Sequence, residues 1–315
     1  MIAIFLIAVA AGAASALMFA SIISRALISL LLFYLASLPL MVAAMGWGPL
    51  CATIGGIAAA LGLGAFFGLP YMIAYVITVA LPAWWLGHLA MLGRPADASP
   101  AAASSPLEWY PTGRILLWIS GFAVLTTIAT LLTFFSDDAA LLAVIKRGLT
   151  RVLAMRGITA DERAIDTLAA IVPVGMASGP TITLTINLWL AARITAASGR
   201  LHRPWPDLKA TTLPPMTLVA LCVAIAFCFT GGLFAVFAKV TTGALLMAYA
   251  LTGFAVLHTL TLALKNRAVW LICSYAVMIV LIWPLLSMVI LGLADAIFGF
   301  RERFMRKRPP PLPAS

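Results

Sequence analysis

The chain has 315 residues, of which 63% are hydrophobic and only 10% are charged. A soluble domain carries roughly 25% charged residues and could not cover so much apolar surface. The formal net charge of +10 does not indicate nucleic-acid binding, because the basic residues lie in short connections and near the C-terminus rather than in a stripe interleaved with aromatic residues. The composition therefore predicts an integral membrane protein whose first partner is the lipid bilayer.

Long apolar runs separated by charged connections predict an all-α, polytopic transmembrane helical bundle of eight or nine spans. In hydrocarbon every backbone N–H and C=O needs a partner within its own segment, so a run of about twenty apolar residues is typical of a spanning helix. The first run has no Lys or Arg ahead of it, which favours a retained helix over a cleaved signal. The predicted spans are 2–23, 26–44, 48–68, 70–92, 115–135, 164–192, 213–238, 240–264 and 268–298.

The connections suggest how these spans are grouped. Very short turns join the first four, so residues 1–92 are predicted to form an N-terminal four-helix half. Residues 93–113 are rich in Ala, Ser and Pro, which predicts a flexible loop. Residues 114–298 form the predicted C-terminal half, and residues 299–315 a basic, proline-rich tail without regular structure.

One connection has a helical pattern of its own. Leu141, Ile145 and Leu149 recur at helical spacing, with Lys146 and Arg147 between them. This pattern predicts a basic amphipathic helix near residues 138–156 that lies in the membrane interface. A solvated helix packed on the protein is the alternative.

The distribution of Lys and Arg leaves two topologies open. With nine spans, the bias of basic residues toward the cytoplasm places the tail inside and the N-terminus outside. The basic connection at 193–211 then falls on the opposite side from the tail. If the last run is instead broken at Pro284 into a re-entrant pair, both basic regions face the cytoplasm.

Small residues recur every four positions in the first and third spans. Such ridges let another helix approach closely, and they are typical of tight helix packing in membranes. The ridges serve either packing within the bundle or the docking of a membrane protein partner. The candidate docking residues are Ala8, Gly12 and Ala16 in the first span and Gly56, Ala60 and Gly64 in the third.

The sixth span is the most polar and the most irregular of the predicted spans. It holds Asn187 at membrane depth, ends at Arg193, and contains Pro173 and Pro180. Prolines free backbone carbonyls, and a broken helix in the middle of the membrane is a common way to build a substrate site. Asn187 and Arg193 are therefore candidates for ligand binding or gating, with a packed kink as the alternative.

Two further polar residues lie inside apolar runs, where each has an energetic cost. His258 lies in the eighth span, as a candidate ligand-binding residue or as a hydrogen-bonded packing residue. Asp295 lies near the end of the last run, followed by Arg301. It is a candidate gating residue, and the alternative is a local ion pair that fixes the helix end.

The sequence predicts no enzyme, cofactor or metal. The segment 175–179 is superficially similar to the serine motif of rhomboid proteases, but Met176 occupies the position of the first glycine. The four cysteines lie inside apolar runs without a C-x-x-C pair, so disulfide and metal roles are not expected. No two histidines share a helix at haem-ligand spacing, and no phosphate-binding Gly-x-x-x-x-Gly-Lys loop is present.

Three short segments carry a family resemblance: 187–193 (NLWLAAR), 253–258 (GFAVLH) and 291–301 (LGLADAIFGFR). With the layout of many spans over the whole chain, they resemble the bacterial multi-pass membrane family typified by YybS, which has no assigned biochemical role. The chain departs from the family pattern at Gly299, where relatives are expected to have an acidic residue. The resemblance implies a bacterial inner-membrane protein, distantly similar to the substrate-capture subunits of energy-coupling-factor transporters.

These observations support two hypotheses of function. The first is a membrane component that binds a small, partly hydrophobic molecule for transport and has no ATPase of its own. Asn187, Arg193 and His258 would then line or guard the site. The second is a membrane scaffold or assembly factor that acts through the basic tail and the small-residue faces.

Overall fold

The computed structural model describes residues 2–95, 107–134, 138–159, 161–281 and 283–306, and it confirms an all-α bundle. Two short strands, β1 (Gly93–Pro95) and β2 (Leu107–Trp109), pair in antiparallel register. The helices are α1 (Ile2–Ala20), α2 (Leu27–Tyr34), α3 (Leu38–Trp47), α4 (Pro49–Phe67), α5 (Leu69–Tyr75), α6 (Leu81–Ala90), α7 (Thr112–Phe134), α8 (Asp138–Met155), α9 (Glu162–Met176), α10 (Ser178–Ala197), α11 (Met216–Phe227), α12 (Gly232–Leu260), α13 (Arg267–Leu281), α14 (Leu285–Phe298) and α15 (Phe300–Arg306).

Several of these helices join into longer apolar stretches. Within the described residues, seven stretches are long and apolar enough to cross a membrane. Large apolar side chains such as Leu17, Leu61 and Phe66 are more than 60% exposed on them, which is the surface that lipid covers in a multi-pass membrane protein. The seven are Ile2–Ser24, Leu27–Trp47, Pro49–Phe67, Leu69–Ala90, Thr112–Thr133, Glu162–Ala197 and Gly232–Leu260.

The seventh and eighth predicted spans divide at a different place from the one expected. Their boundary was expected near Lys239, but Lys239 lies inside the 29-residue helix α12. The chain turns instead at Gly231 and Gly232, which have φ values of 94° and 61°. Glycine adopts this backbone region without steric cost, whereas one lysine does not end a helix.

The last predicted span is broken, as the second topology requires. Its two parts, α13 and α14, are 15 and 14 residues long, and a 15-residue helix is only about 22 Å long. Tyr275 of α13 contacts His258 near the end of α12, while Trp283 lines the same hollow as Gly243 and Met247 in the middle of α12. Helix α14 returns from that depth, so the two form a re-entrant hairpin.

The hairpin brings the basic connections to one end of the bundle. Arg203 donates hydrogen bonds to the carbonyl oxygens of Ala90 and Tyr110, and Arg301 donates to those of Lys209 and Thr211. We call this end, formed by residues 91–95, 107–113, 199–215 and 299–306, the loop end. Helix α8 lies at the opposite end.

Helix α8 has the predicted amphipathic character. Leu141 and Ile145 are buried against the bundle, and Lys146 forms a 2.5 Å ion pair with Asp166 of α9. Leu142 is 39% exposed. The helix thus packs on the protein through one face, and its place in the membrane interface remains a prediction.

The two expected irregular segments are described only in part. The sequence predicts a flexible loop at residues 93–113. In the structure, residues 93–95 and 107–109 pair as the β1–β2 hairpin, which was not predicted. Residues 96–106 of this connection lie outside the described residues. Residues 300–306 of the expected tail are helical, and residues 307–315 lie outside the described chain.

The small-residue ridges face other helices of this chain. A Cβ atom added at Gly12 would meet the carbonyl oxygen of Gly55, and one added at Gly55 would meet that of Ala8. Helices α1 and α4 therefore run in backbone-to-backbone contact. A Cβ on Gly56 would meet Ala80, and one on Gly64 would meet Met72.

The two remaining candidate docking residues are also packed internally. Ala60 is 6% exposed in the largest core cluster, and Ala16 packs against that cluster. The same core joins Leu40 of α3 to Ile119 of α7 and Leu184 of α10. The ridges thus hold the bundle together.

Replacing Gly55 by Ala tests this contact. The added methyl group would strike the α1 backbone, so we expect a loss of about 1–3 kcal/mol in the free energy of unfolding. Gly62→Ala is the matched control on the same helix, because a Cβ there meets nothing within 4 Å. Thermal unfolding in detergent should show a lower midpoint for Gly55→Ala only, and equal midpoints for the two variants would contradict the packing.

Candidate functional site

Three helix interruptions lie in the membrane-spanning part of the bundle. Helix α2 stops at Tyr34 and α3 begins at Leu38, a π-helix occupies Val76–Ala80, and α9 gives way to α10 at Ala177. Pro39, Pro82 and Pro180 each follow an interruption within a few residues. Proline has no N–H, so the carbonyl four residues before it loses its helical partner.

All three interruptions border one cavity of about 390 Å³, which we call the hydroxyl cavity. The α2–α3 break contributes Tyr34 and Ser37, the π-helix contributes Thr78, and the α9–α10 break contributes Met176 and Pro180. Irregular backbone at membrane depth is tolerated where it is buried in protein or lines a cavity. The remaining lining residues are Phe33, Val79, Thr126, Thr127, Thr130, Leu131, Thr183 and Leu184.

The threonine hydroxyls of this cavity donate to their own helices. The Oγ1 atoms of Thr126 and Thr127 donate to the carbonyl oxygen of Ala123 at 3.1 and 2.7 Å. Thr130 donates to the carbonyl of Thr126 at 2.8 Å. A hydroxyl has one proton and two lone pairs, so these oxygens are left as acceptors.

Asn187 stabilises the α2–α3 interruption. The side chain is 1% exposed, and its Nδ2 donates to the carbonyl oxygen of Tyr34 at 2.7 Å and to Ser37 Oγ at 2.8 Å. It therefore pairs a carbonyl that the broken helix leaves unpaired. Its Oδ1 is buried without a hydrogen-bond partner.

A second cavity, of about 340 Å³, lies beneath the loop end, and we call it the loop-end cavity. Its walls are mostly apolar and come from α3, α6, α7, α10, α12 and the 201–211 connection. Its lining includes Ile186, Trp189, Arg203, Trp205 and Thr211.

Arg203 supplies the positive charge in the wall of the loop-end cavity. Its two terminal nitrogens donate to the carbonyl oxygens of Ala90 and Tyr110, each at 3.0 Å. Burial lowers the pKa of the guanidinium from its usual value, yet arginine stays protonated in proteins. Among the described residues no carboxylate forms an ion pair with it, so the charge is not neutralised.

Arg193 lies beside the same cavity. Its guanidinium carbon is 5.8 Å from the ring centre of Trp189 and 5.2 Å from that of Trp205. Both rings line the cavity, and an arginine over an indole face is attracted by its π electrons. Arg193 thus fixes two of the cavity's aromatic walls without lining the cavity itself.

Asp295 and Arg301 form a buried ion pair above the loop-end cavity. The Asp295 carboxylate accepts from Arg301 Nε at 2.7 Å and from the Arg301 backbone N–H at 2.9 Å. Arg301 also donates to the carbonyls of Lys209 and Thr211. The pair therefore joins α14 and α15 to the segment that covers the cavity.

His258 faces the re-entrant hairpin and lines neither cavity. Its Nε2 is 2.8 Å from the Tyr275 hydroxyl, and its Nδ1 is 3.4 Å from an Arg267 nitrogen. These contacts fix α13 against the end of α12. This arrangement favours the packing role among the alternatives for His258.

The candidate residues do not converge on one cavity. Asn187 contacts two lining residues of the hydroxyl cavity, Tyr34 and Ser37. Arg193 and Asp295 reach the loop-end cavity only through its lining residues. The sequence reasoning missed Arg203, which resembles any other basic residue in a connection. It also missed the hydroxyls of α7, although the sequence holds three threonines at 126, 127 and 130 in an otherwise apolar run.

The described residues contain no group of three or more His, Cys, Asp or Glu side chains that could hold a metal ion. No protein-family model, curated protein or solved structure matches the chain.

Replacing Asp295 by Ala tests the buried pair. Removing one partner leaves the Arg301 charge buried and unpaired, so we expect a loss of about 3–5 kcal/mol in stability and faster hydrogen exchange at residues 207–212. Glu108→Ala is the control, because its ion pair with Arg94 at 2.8 Å is exposed and should contribute at most about 1 kcal/mol. Equal exchange at residues 207–212 in both variants would show that the pair does not hold this segment.

Proposed function

We propose that this integral membrane protein binds a small amphipathic molecule with an anionic group in the loop-end cavity. It would act as the binding component of a transport system and have no ATPase of its own. The observation that supports this most is the half-buried, unneutralised Arg203 in an otherwise apolar cavity wall. Ligand cavities are typically apolar with a few precisely placed polar groups, and their volumes are about 300 Å³ or more.

The charge of the cavity favours an anionic ligand over a cationic one. Arg203 lines it, Arg193 lies behind its tryptophans, and no acidic side chain of the described residues is among its lining. A carboxylate or phosphate group of a ligand would replace the water that the guanidinium loses on burial. The apolar walls would hold the rest of the molecule.

The exposure of the lining suggests how a ligand enters. Ile186 is 47% exposed and Trp189 is 44% exposed, although both line the cavity. They lie on α10, which is a membrane-spanning helix. The cavity would therefore open sideways between helices, within reach of molecules dissolved in the bilayer.

The loop end would face the cytoplasm of a bacterial inner membrane. With the re-entrant hairpin, residues 93–95, 107–114, 199–215 and 265–267 and α15 all lie at this end, together with most of the described Lys and Arg residues. Basic residues concentrate on the cytoplasmic side. Membership of the YybS-like family, proposed from three short segments, fits this location.

Binding of paired probes tests the proposal. We expect decanoate to bind the purified protein and decyltrimethylammonium, which has a tail of the same length, to bind at least about tenfold more weakly. Arg203→Gln should weaken decanoate binding about tenfold or more, because it removes the charge and keeps hydrogen-bonding capacity. Isothermal titration calorimetry in an uncharged detergent measures both.

Arg303→Gln is the matched control, since Arg303 is exposed at the same end of the bundle. It removes one positive charge without touching the cavity, so decanoate binding should be unchanged. Equal binding of the two probes, or equal losses in the two variants, would overturn the proposal.

A further inference from the structure

The hydroxyl cavity consists of neutral oxygen atoms and apolar groups. None of its lining residues is acidic or basic. An anion would find no charged partner there, and a divalent cation usually requires carboxylate ligands. The chemistry of the cavity is therefore set by hydroxyl and carbonyl oxygens.

Four of the lining hydroxyl oxygens can act toward a ligand only as acceptors. The protons of the Thr126, Thr127 and Thr130 hydroxyls are already donated to carbonyls of α7. Thr78 likewise donates its hydroxyl proton to the carbonyl of Ala74 at 2.7 Å. Lone pairs without protons attract a ligand that is positively charged or that donates hydrogen bonds.

The α9–α10 interruption adds a carbonyl oxygen. Pro180 cannot donate to the carbonyl of Met176, and Met176 lines the cavity. At the α2–α3 interruption, the Nδ2 of Asn187 donates to the carbonyl oxygen of Tyr34 and to Ser37 Oγ, both of residues that line the cavity. Unwound backbone carbonyls at membrane depth coordinate monovalent cations in transporters built from broken helices.

We propose that the hydroxyl cavity binds a monovalent alkali cation through these neutral oxygens. The coordinating groups are the hydroxyl oxygens of α7 and Thr78 and the carbonyl oxygen of Met176. A site of this kind holds one charge without a carboxylate, because several carbonyl and hydroxyl dipoles together replace the hydration shell of the ion.

The position of α10 gives the cation a role in the proposed function. Thr183 and Leu184 line the hydroxyl cavity, while Thr185 and Ile186 line the loop-end cavity. The two cavities thus lie along one helix, with Asn187 directly after this stretch. Binding of the cation would fix α10 and so couple to the ligand. This inference deepens the proposed function, but the cation site can be tested without an organic ligand.

The experiment compares the purified protein in NaCl, KCl and N-methyl-D-glucamine chloride at equal ionic strength. We expect Na⁺ or K⁺ to raise the midpoint of thermal unfolding by several degrees in a saturable manner, since a ligand that binds only the folded state stabilises it. Binding of ²²Na⁺, with unlabelled Na⁺ or K⁺ as competitor, identifies the preferred ion.

Thr127→Val and Thr133→Val form a matched pair on α7. Both threonines donate to the carbonyl four residues earlier, at 2.7 and 2.8 Å, but Thr133 is exposed and does not line the cavity. Valine keeps the shape of threonine and removes the oxygen. We expect Thr127→Val to weaken the apparent cation affinity about tenfold and Thr133→Val to leave it unchanged.

Equal midpoints in the three salts would overturn the inference and leave water as the occupant. Equal cation responses in the two variants would also overturn it, because they would indicate a general salt effect. Neither outcome bears on decanoate binding at the loop end. Conversely, a failure of decanoate to bind would leave the cation result standing.

Discussion

The main constraint on this structure is that backbone N–H and C=O groups inside the membrane have no water to form hydrogen bonds with. A carbonyl that loses its helical partner inside a bilayer has a free-energy cost of several kcal/mol unless another group donates to it. The α2–α3 break meets this constraint with two side chains from other helices. Asn187 donates to the carbonyl of Tyr34, and Ser15, itself hydrogen-bonded to Tyr75, donates to that of Ala36 at 2.6 Å.

The absence of water also explains why the glycines of α1 and α4 matter. Lipid chains are as apolar as leucine, so helices in a bilayer associate through close van der Waals contact rather than through exclusion of water. The contact between Gly12 and Gly55 fixes α1 against α4. It thereby positions Ser15 one turn further along, where its hydroxyl reaches the broken helix.

The sequence was sufficient for the fold class, because a long apolar run in a bilayer has few alternatives to a helix. It was not sufficient for the ends of helices. The helix boundary was predicted at Lys239 and not at the Gly231–Gly232 turn, because a charged residue interrupts an apolar run more obviously. A lysine, however, has little effect on backbone geometry. Pro284 indicated a possible break, yet the direction of the chain after it depends on contacts with α12 that no local pattern records.

The candidate sites show a similar limit. Small-residue spacing revealed close packing at Gly12, but a face of small residues does not specify which helix covers it. Asn187 was recognisable because a polar side chain at membrane depth has an energetic cost and is therefore usually structural or functional. Arg203 was not recognisable from the sequence, because the carbonyls that hold its side chain belong to residues far away in the chain.

The re-entrant hairpin has a consequence for the membrane around the protein. Its tip at Trp283 stops about 22 Å from its start, short of the roughly 30 Å hydrocarbon thickness. Below the tip lies an open hollow lined by apolar residues, among them Leu168, Ile171 and Leu286. Acyl chains of the far leaflet would have to bend upward into this hollow, so the bilayer would be locally thinner on that side of the molecule.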